Sequence, residues 1–120
     1  MSMIDDPGIT ALSRFLDVNV FRSELVMSNM ANIDTPGYRT QDVNFSQEME
    51  QASGNLQYAS FTPVAHSVRG LMERPDGNNV SLERESLLLA DIQLRFNLGV
   101  QLLRDEFKGI LNAINGGGAS

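Results

Sequence analysis

The chain has 120 residues, 42% hydrophobic and 20% charged, with a formal net charge of −6. One domain of that size can close a core, though only a marginal one. The charge excludes nucleic acid as the main partner, because phosphate neutralisation needs a basic patch and nine Lys and Arg are spread thinly through the chain. With no cysteine, disulfides and thiolate metal sites are excluded as well.

Asp5-Asp6-Pro7-Gly8 reads as a turn or helix entry, and from Ile9 to about Asn32 the apolar period is helical. Ile9, Leu12, Leu16, Val20, Met27 and Met30 fall on one face, with Phe15 and Val26 at its edge. Asn19 and Ser23 interrupt that stripe, as polar residues do when they fix the register of a helix pair. Val18, Phe21 and Leu25 lie on the opposite side and form a second apolar patch.

The helix must stop before Pro36, which lacks an N–H and pushes Thr35 out of the helical region. Pro36-Gly37 is the central pair of a type II turn, with glycine at positive φ. Asn32 is predicted to end the helix in the left-handed conformation, and Tyr38 leaves in an extended direction.

Arg39 to Phe45 reads as extended, with Val43 and Phe45 alternating with polar residues. Asn44 and Gln47 have capping-box spacing, which predicts a short helix from Phe45 to about Ala52, closed at Ser53-Gly54. Asn55 to Gly77 shows little helical period. Tyr58, Phe61, Val64 and Val68 among Ser, Thr and Pro suggest loop or short β-structure.

Asp76-Gly77-Asn78-Asn79 is a turn cluster, and Ser81 is a fitting N-cap, with Glu83 and Glu85 at the positive end of the helix dipole. The helix that follows, residues 81–115, carries Leu89, Ile92, Phe96, Val100, Leu103, Phe107, Ile110 and Ile114 on its main stripe. Leu87, Leu94, Leu98 and Leu102 lie on roughly the opposite face. Gly116-Gly117-Gly118 ends it.

The expected architecture is mainly α, a single domain over residues 1–120. Two long terminal helices (9–32 and 81–115) form an antiparallel coiled-coil hairpin around a short irregular or β-containing middle segment (33–80). Leu12, Leu16, Leu89, Ile92, Phe96, Leu103, Phe107 and Ile110 are the expected helix-packing residues. A two-helix hairpin leaves the backs uncovered, so Phe21, Leu25, Leu87, Leu94, Leu98 and Leu102 are expected to form an outer assembly face. The alternative is a small closed bundle in which the middle segment covers those backs.

Chemistry is thin. His66 is the only histidine, so neither a His-based metal cluster nor a Ser–His–Asp arrangement is available beyond one ligand. No glycine-rich loop has the lysine and following helix that phosphate binding requires. We expect no catalytic, cofactor-binding or metal-ligating residues. No basic-then-apolar leader and no apolar run near the ~18 residues of a membrane span is present, so neither a cleaved signal peptide nor a direct membrane span is expected.

Two strings carry a family resemblance. Ser28-Asn29-Met30-Ala31-Asn32-Ile33-Asp34-Thr35-Pro36-Gly37-Tyr38-Arg39 resembles the N-terminal motif of flagellar axial proteins, shared by rod, hook and hook-associated subunits. Asp76 to Glu85, followed by Ala90 to Phe96, resembles the start of the C-terminal helix in the small rod proteins. Ser81 stands where Asp is common there, one N-cap for another. The short chain, with no inserted outer domain, is similar to the proximal members of the basal-body rod family. The match covers most of residues 9–52 and 76–114.

The resemblance implies a structural subunit, not an enzyme, exported through the flagellar type III apparatus into the periplasmic rod of the basal body. Its implied partners are copies of itself, other rod subunits, the adaptor at the rod base and the inner-membrane (MS) ring. Within the motif, Asn29, Ala31, Asn32, Thr35, Pro36, Gly37, Tyr38, Asp76, Gly77, Asn78 and Asn79 are the implied assembly residues. The rivals are a generic coiled-coil adaptor or regulatory module, and a sibling rod subunit further from the membrane.

Overall fold

A computed structural model describes residues 6–54 and 62–116. Helix α1 spans Pro7–Ala31, strand β1 Gln41–Val43, helix α2 Phe45–Gly54, strand β2 Ala65–Ser67 and helix α3 Leu82–Gly116. The chain is thus mainly helical with a two-stranded antiparallel sheet, in which Gln41, Asp42 and Val43 face Ser67, His66 and Ala65. Asp5, Tyr58, Phe61, Gly117 and Gly118 lie outside the described residues.

Local chemistry sets each end. Asp6 caps α1, its Oδ1 accepting the Ile9 amide at 3.0 Å, and Pro7 supplies the first turn, so the helix begins before Ile9. At the other end Asn32 is not left-handed: its φ is −102°. Its backbone N–H still reaches Ser28 O and Asn29 O, and its side-chain Nδ2 donates to Ser28 O at 2.8 Å. The stop is made by this side chain and by Pro36, so no positive φ is needed. Asn44 Oδ1 accepts the Gln47 amide at 3.0 Å and starts α2. At α3 the Ser81 hydroxyl accepts the Arg84 amide, and the helix then runs 35 residues, about 52 Å.

The two long helices pack against each other. Gly8 lies against Glu106, Gly99 against Phe15 and Leu16, and Asn29 against Glu85. The middle segment packs on one flank of α1, where the Phe15 and Phe45 rings meet edge to face at 5.5 Å. The Arg95 guanidinium sits 5.6 Å from the Phe45 ring on the α3 side.

That flank corrects the expected phase of α1. Its buried residues are Ile9, Val18, Asn19, Val26 and Asn29. Leu12, Leu16 and Met30 are half-buried, whereas Val20 and Met27 are 43% and 53% exposed. Val18 was expected on an outer patch and is fully buried, while Phe21 and Leu25 are half-buried. The cause is a second neighbour: α2 and β1 rotate the buried sector away from Val20 and Met27. On α3, Ile92 and Gly99 are buried, and Leu89, Phe96, Leu103 and Ile110 are half-buried. Phe107 is exposed, because Gly8 already lies against Glu106 and α3 then runs past the described start of α1.

Candidate functional site

The described residues concentrate their polar contacts at one end of the helix pair. Residues 32–40 and 74–80 form two turns that dock on each other there. Gly37 has φ +77° and Gly77 φ +87°, the left-handed region that glycine alone occupies without strain. The Gly37 amide donates to Asp76 O at 2.8 Å, and a Cβ on Gly77 would come within 3.3 Å of Gly37 Cα. Gly37→Val should therefore cost roughly 1–2 kcal/mol from backbone strain alone. Gly77→Val should cost more, because contact is added to strain. Urea midpoints of the two variants check that order.

Asparagines stitch the turns together. Asn78 Nδ2 donates to Asn32 O at 2.8 Å and Thr35 O at 2.9 Å, while its Oδ1 accepts the Val80 amide. Asn79 Oδ1 accepts the Thr40 amide at 2.7 Å. Arg74 reaches across to Val80 O and Ile33 O. The Tyr38 hydroxyl donates to Asn29 Oδ1 at 2.9 Å.

Asn29 is fully buried and acts as a surrogate strand edge. Its Oδ1 accepts the Gln41 amide at 3.0 Å, and its Nδ2 donates to Gln41 O at 2.9 Å and to Glu85 Oε1. Glu85, also fully buried, accepts from Arg84 at its other oxygen at 2.9 Å. Arg84 continues to Asp42 Oδ2 at 2.9 Å, and Arg22 grips Asp42 through Nε at 2.8 Å and Nη2 at 3.1 Å. The contacts join α1, β1 and α3.

Burial of Asp42 opposes its ionisation. The hydrogen bonds from Arg22, the Val43 amide and Arg84, with the Arg22 charge, outweigh that, so its carboxyl titrates below the ordinary 3.8. A depressed carboxyl stabilises the fold above its unfolded value and loses that contribution as pH falls through the folded value. Stability should decline in acid below pH 3.8, and Asp42→Asn should flatten that limb while lowering the neutral-pH plateau. Thermal melts across the acid range read both effects.

The predicted motif residues thus divide. Asn29, Asn78 and Asn79 are buried and bond within the chain, Asn32, Tyr38 and Gly77 are half-buried, and Ala31, Thr35, Pro36, Gly37 and Asp76 are exposed. Arg22, Asp42, Arg84 and Glu85 escaped the sequence reading as a cluster. One signal was present: Glu85 leads Ile92 and Gly99 in steps of seven, which places it on the buried face. Its position in the first turn of α3 suggested a helix-dipole role instead.

Leu87, Leu94, Leu98 and Leu102 are all exposed on the back of α3. On the other side, Val20, Ser23 and Met27 of α1 and Leu89, Gln93 and Phe96 of α3 line an open groove. His66 is exposed on β2. Among the described residues no group of three or more His, Cys, Asp or Glu is placed to hold a metal ion. No described helix is long and apolar enough to cross a membrane.

No protein-family model matches the chain. It is similar to the flagellar basal body rod protein FlgB of Salmonella typhimurium (strain LT2), with 28% identity over 93% of this chain and 96% of that protein. Identity is 30% to the FlgB of Yersinia enterocolitica, over 85% of this chain and 89% of the relative. It is 32% to that of Cereibacter sphaeroides, over 79% and 84%. These relatives are structural rod proteins, not enzymes. With this identity running over most of both chains, the protein belongs to the FlgB family of flagellar basal body rod proteins.

Proposed function

We propose that the chain is a structural subunit of the bacterial flagellar basal-body rod, assembling helically with its own copies and other rod subunits to transmit motor torque across the periplasm. The kinship to FlgB rod proteins carries the rod setting, and the observation that supports assembly is the back of α3, where the helix presents four exposed leucines, with Leu94 69% exposed. Contiguous apolar surface of that kind marks contact with other chains. Residues 1–120 act as one axial domain. The helix contacts run in opposite order along α1 and α3, which supports an antiparallel coiled-coil hairpin.

The same reading gives the wider setting. The rod-base adaptor and the MS ring are its neighbours below, the flagellar type III apparatus exports it, and the periplasm is where it works. Its function is stiffness through packing, and no cofactor enters it.

The experiment substitutes Leu94→Ser and Leu98→Ser together. Exposed positions away from special features change stability by only about ±0.5 kcal/mol. The monomer should melt normally and be exported, yet rods should not form and cells should not swim. Ile92→Ala is the comparator, because Ile92 is buried and its truncation costs about 2–5 kcal/mol. Normal swimming by the double-serine variant would refute the assignment of the α3 back to assembly.

A further inference from the structure

The bonds among Arg22, Asp42, Arg84, Glu85 and Asn29 close on themselves. From Asp42 they run to Arg84, to Glu85, to Asn29, and from Asn29 to the Gln41 backbone, which is covalently next to Asp42. Arg22 braces the Asp42 carboxylate from α1 through two nitrogens. Counting Arg22 with the ring, the set holds two positive and two negative charges. Side-chain exposure is 12% for Asp42, 15% for Arg22, 25% for Arg84 and zero for Glu85.

We propose that this ring is a strut coupling the docking of the middle segment to the pairing of α1 with α3, so that neither reaches full strength without the other. Apolar contacts add locally and one by one. A balanced set of buried charges does not, because removing one member leaves its partner uncompensated in a medium that solvates it poorly. Glu85 makes the distinction sharp. Its side chain bonds only Asn29 and Arg84 among the described residues, and neither belongs to the middle segment. Any effect of Glu85 on the sheet must therefore pass through Asn29 to Gln41 or through Arg84 to Asp42. The strut is a property of the single chain. Its mechanical meaning, a path by which load on the helices reaches the middle segment, rests on the rod reading.

Hydrogen exchange on the full-length chain tests the coupling. The reporter is the Val68 amide, which donates to Thr40 O at 2.9 Å beside the strand pair and touches no ring member in that bond. In Glu85→Gln, Val68 exchange should accelerate about tenfold more than in Ile92→Val, a seam variant outside the ring, after both are normalised to global stability. The second measurement is a cycle of Arg22→Met and Glu85→Gln, two positions with no direct bond. Their combined effect on the unfolding constant should depart from the product of the single effects by about fivefold, as members of one network do. Val68 exchange that tracks global stability alone, or effects that multiply, would overturn the strut. Neither readout involves swimming, so the strut and the rod reading fail separately.

Discussion

Asn29→Ala is expected to lower the unfolding free energy by about 4 kcal/mol, since each buried group left without its partner costs about 1–3 kcal/mol. The substitution strips the Gln41 amide and carbonyl, the Tyr38 hydroxyl and one oxygen of Glu85 at once. Glu85 keeps Arg84, and Gln41 is half-buried and can recruit water, which holds the total below the simple sum. Against a domain stability of about 5–15 kcal/mol, that loss leaves a substantial unfolded fraction on warming. Asn29→Asp should be no milder. It keeps the acceptor for Tyr38 and Gln41 but sets a carboxylate against Glu85. Asn32→Ala should cost only about 1 kcal/mol, because its side-chain bonds to Ser28 O and Thr35 are local and exposed. Chemical denaturation of the three variants gives the order directly. Equal losses at Asn29 and Asn32 would mean that the motif asparagines act alike, as surface assembly residues would.

The contrast between those two asparagines shows what the sequence could and could not disclose. The helices were legible because helix ends are local chemistry: Asp6-Pro7, Asn44 with Gln47, and Ser81 each sit within four residues of the group they cap. Gly37 at positive φ was legible for the same reason, since Pro36-Gly37 permits few other turns. The phase of α1 was not. Periodicity reports that a helix has an apolar sector, and it returns the mean direction when two neighbours pull from different sides. Here α3 and the middle segment share α1, so Val18 went in and Val20 and Met27 came out. The ring was hidden more deeply. Asn29 and Glu85 are 56 residues apart, and Arg84 and Asp42 are 42 apart. No local rule pairs charges across such distances. The motif string includes Asn29 and Asn78, for which the family resemblance implies a part in assembly; their side chains turn inward and bond within the chain, to partners no local pattern names.

The close approach of the two long helices carries the other large effect. Gly99 is buried in α3, and a Cβ there would stand 2.8 Å from a Leu16 methyl carbon and 2.9 Å from the Phe15 ring. Phe15 cannot simply swing aside, because its ring is already packed against Phe45. Gly99→Leu should therefore force the helices apart at a cost of about 3 kcal/mol, the upper end of ordinary overpacking. Gly99→Ala adds the same first carbon and no more. The helix propensity gained over glycine, about 1 kcal/mol, offsets part of its clash, so its loss should be small. Gly109 provides the internal control. It lies in the same helix, and a Cβ there meets nothing within 4 Å, so Gly109→Ala should stabilise the protein by about 0.5–1 kcal/mol. Measured together by thermal denaturation, the two alanine variants isolate space from propensity. If Gly99→Ala stabilises as much as Gly109→Ala, the helices do not touch at Gly99, and Leu16 and Phe15 must pack elsewhere. If Gly99→Leu destabilises and Gly109→Ala stabilises, the close approach of the two helices at Gly99 depends on the absence of a side chain there.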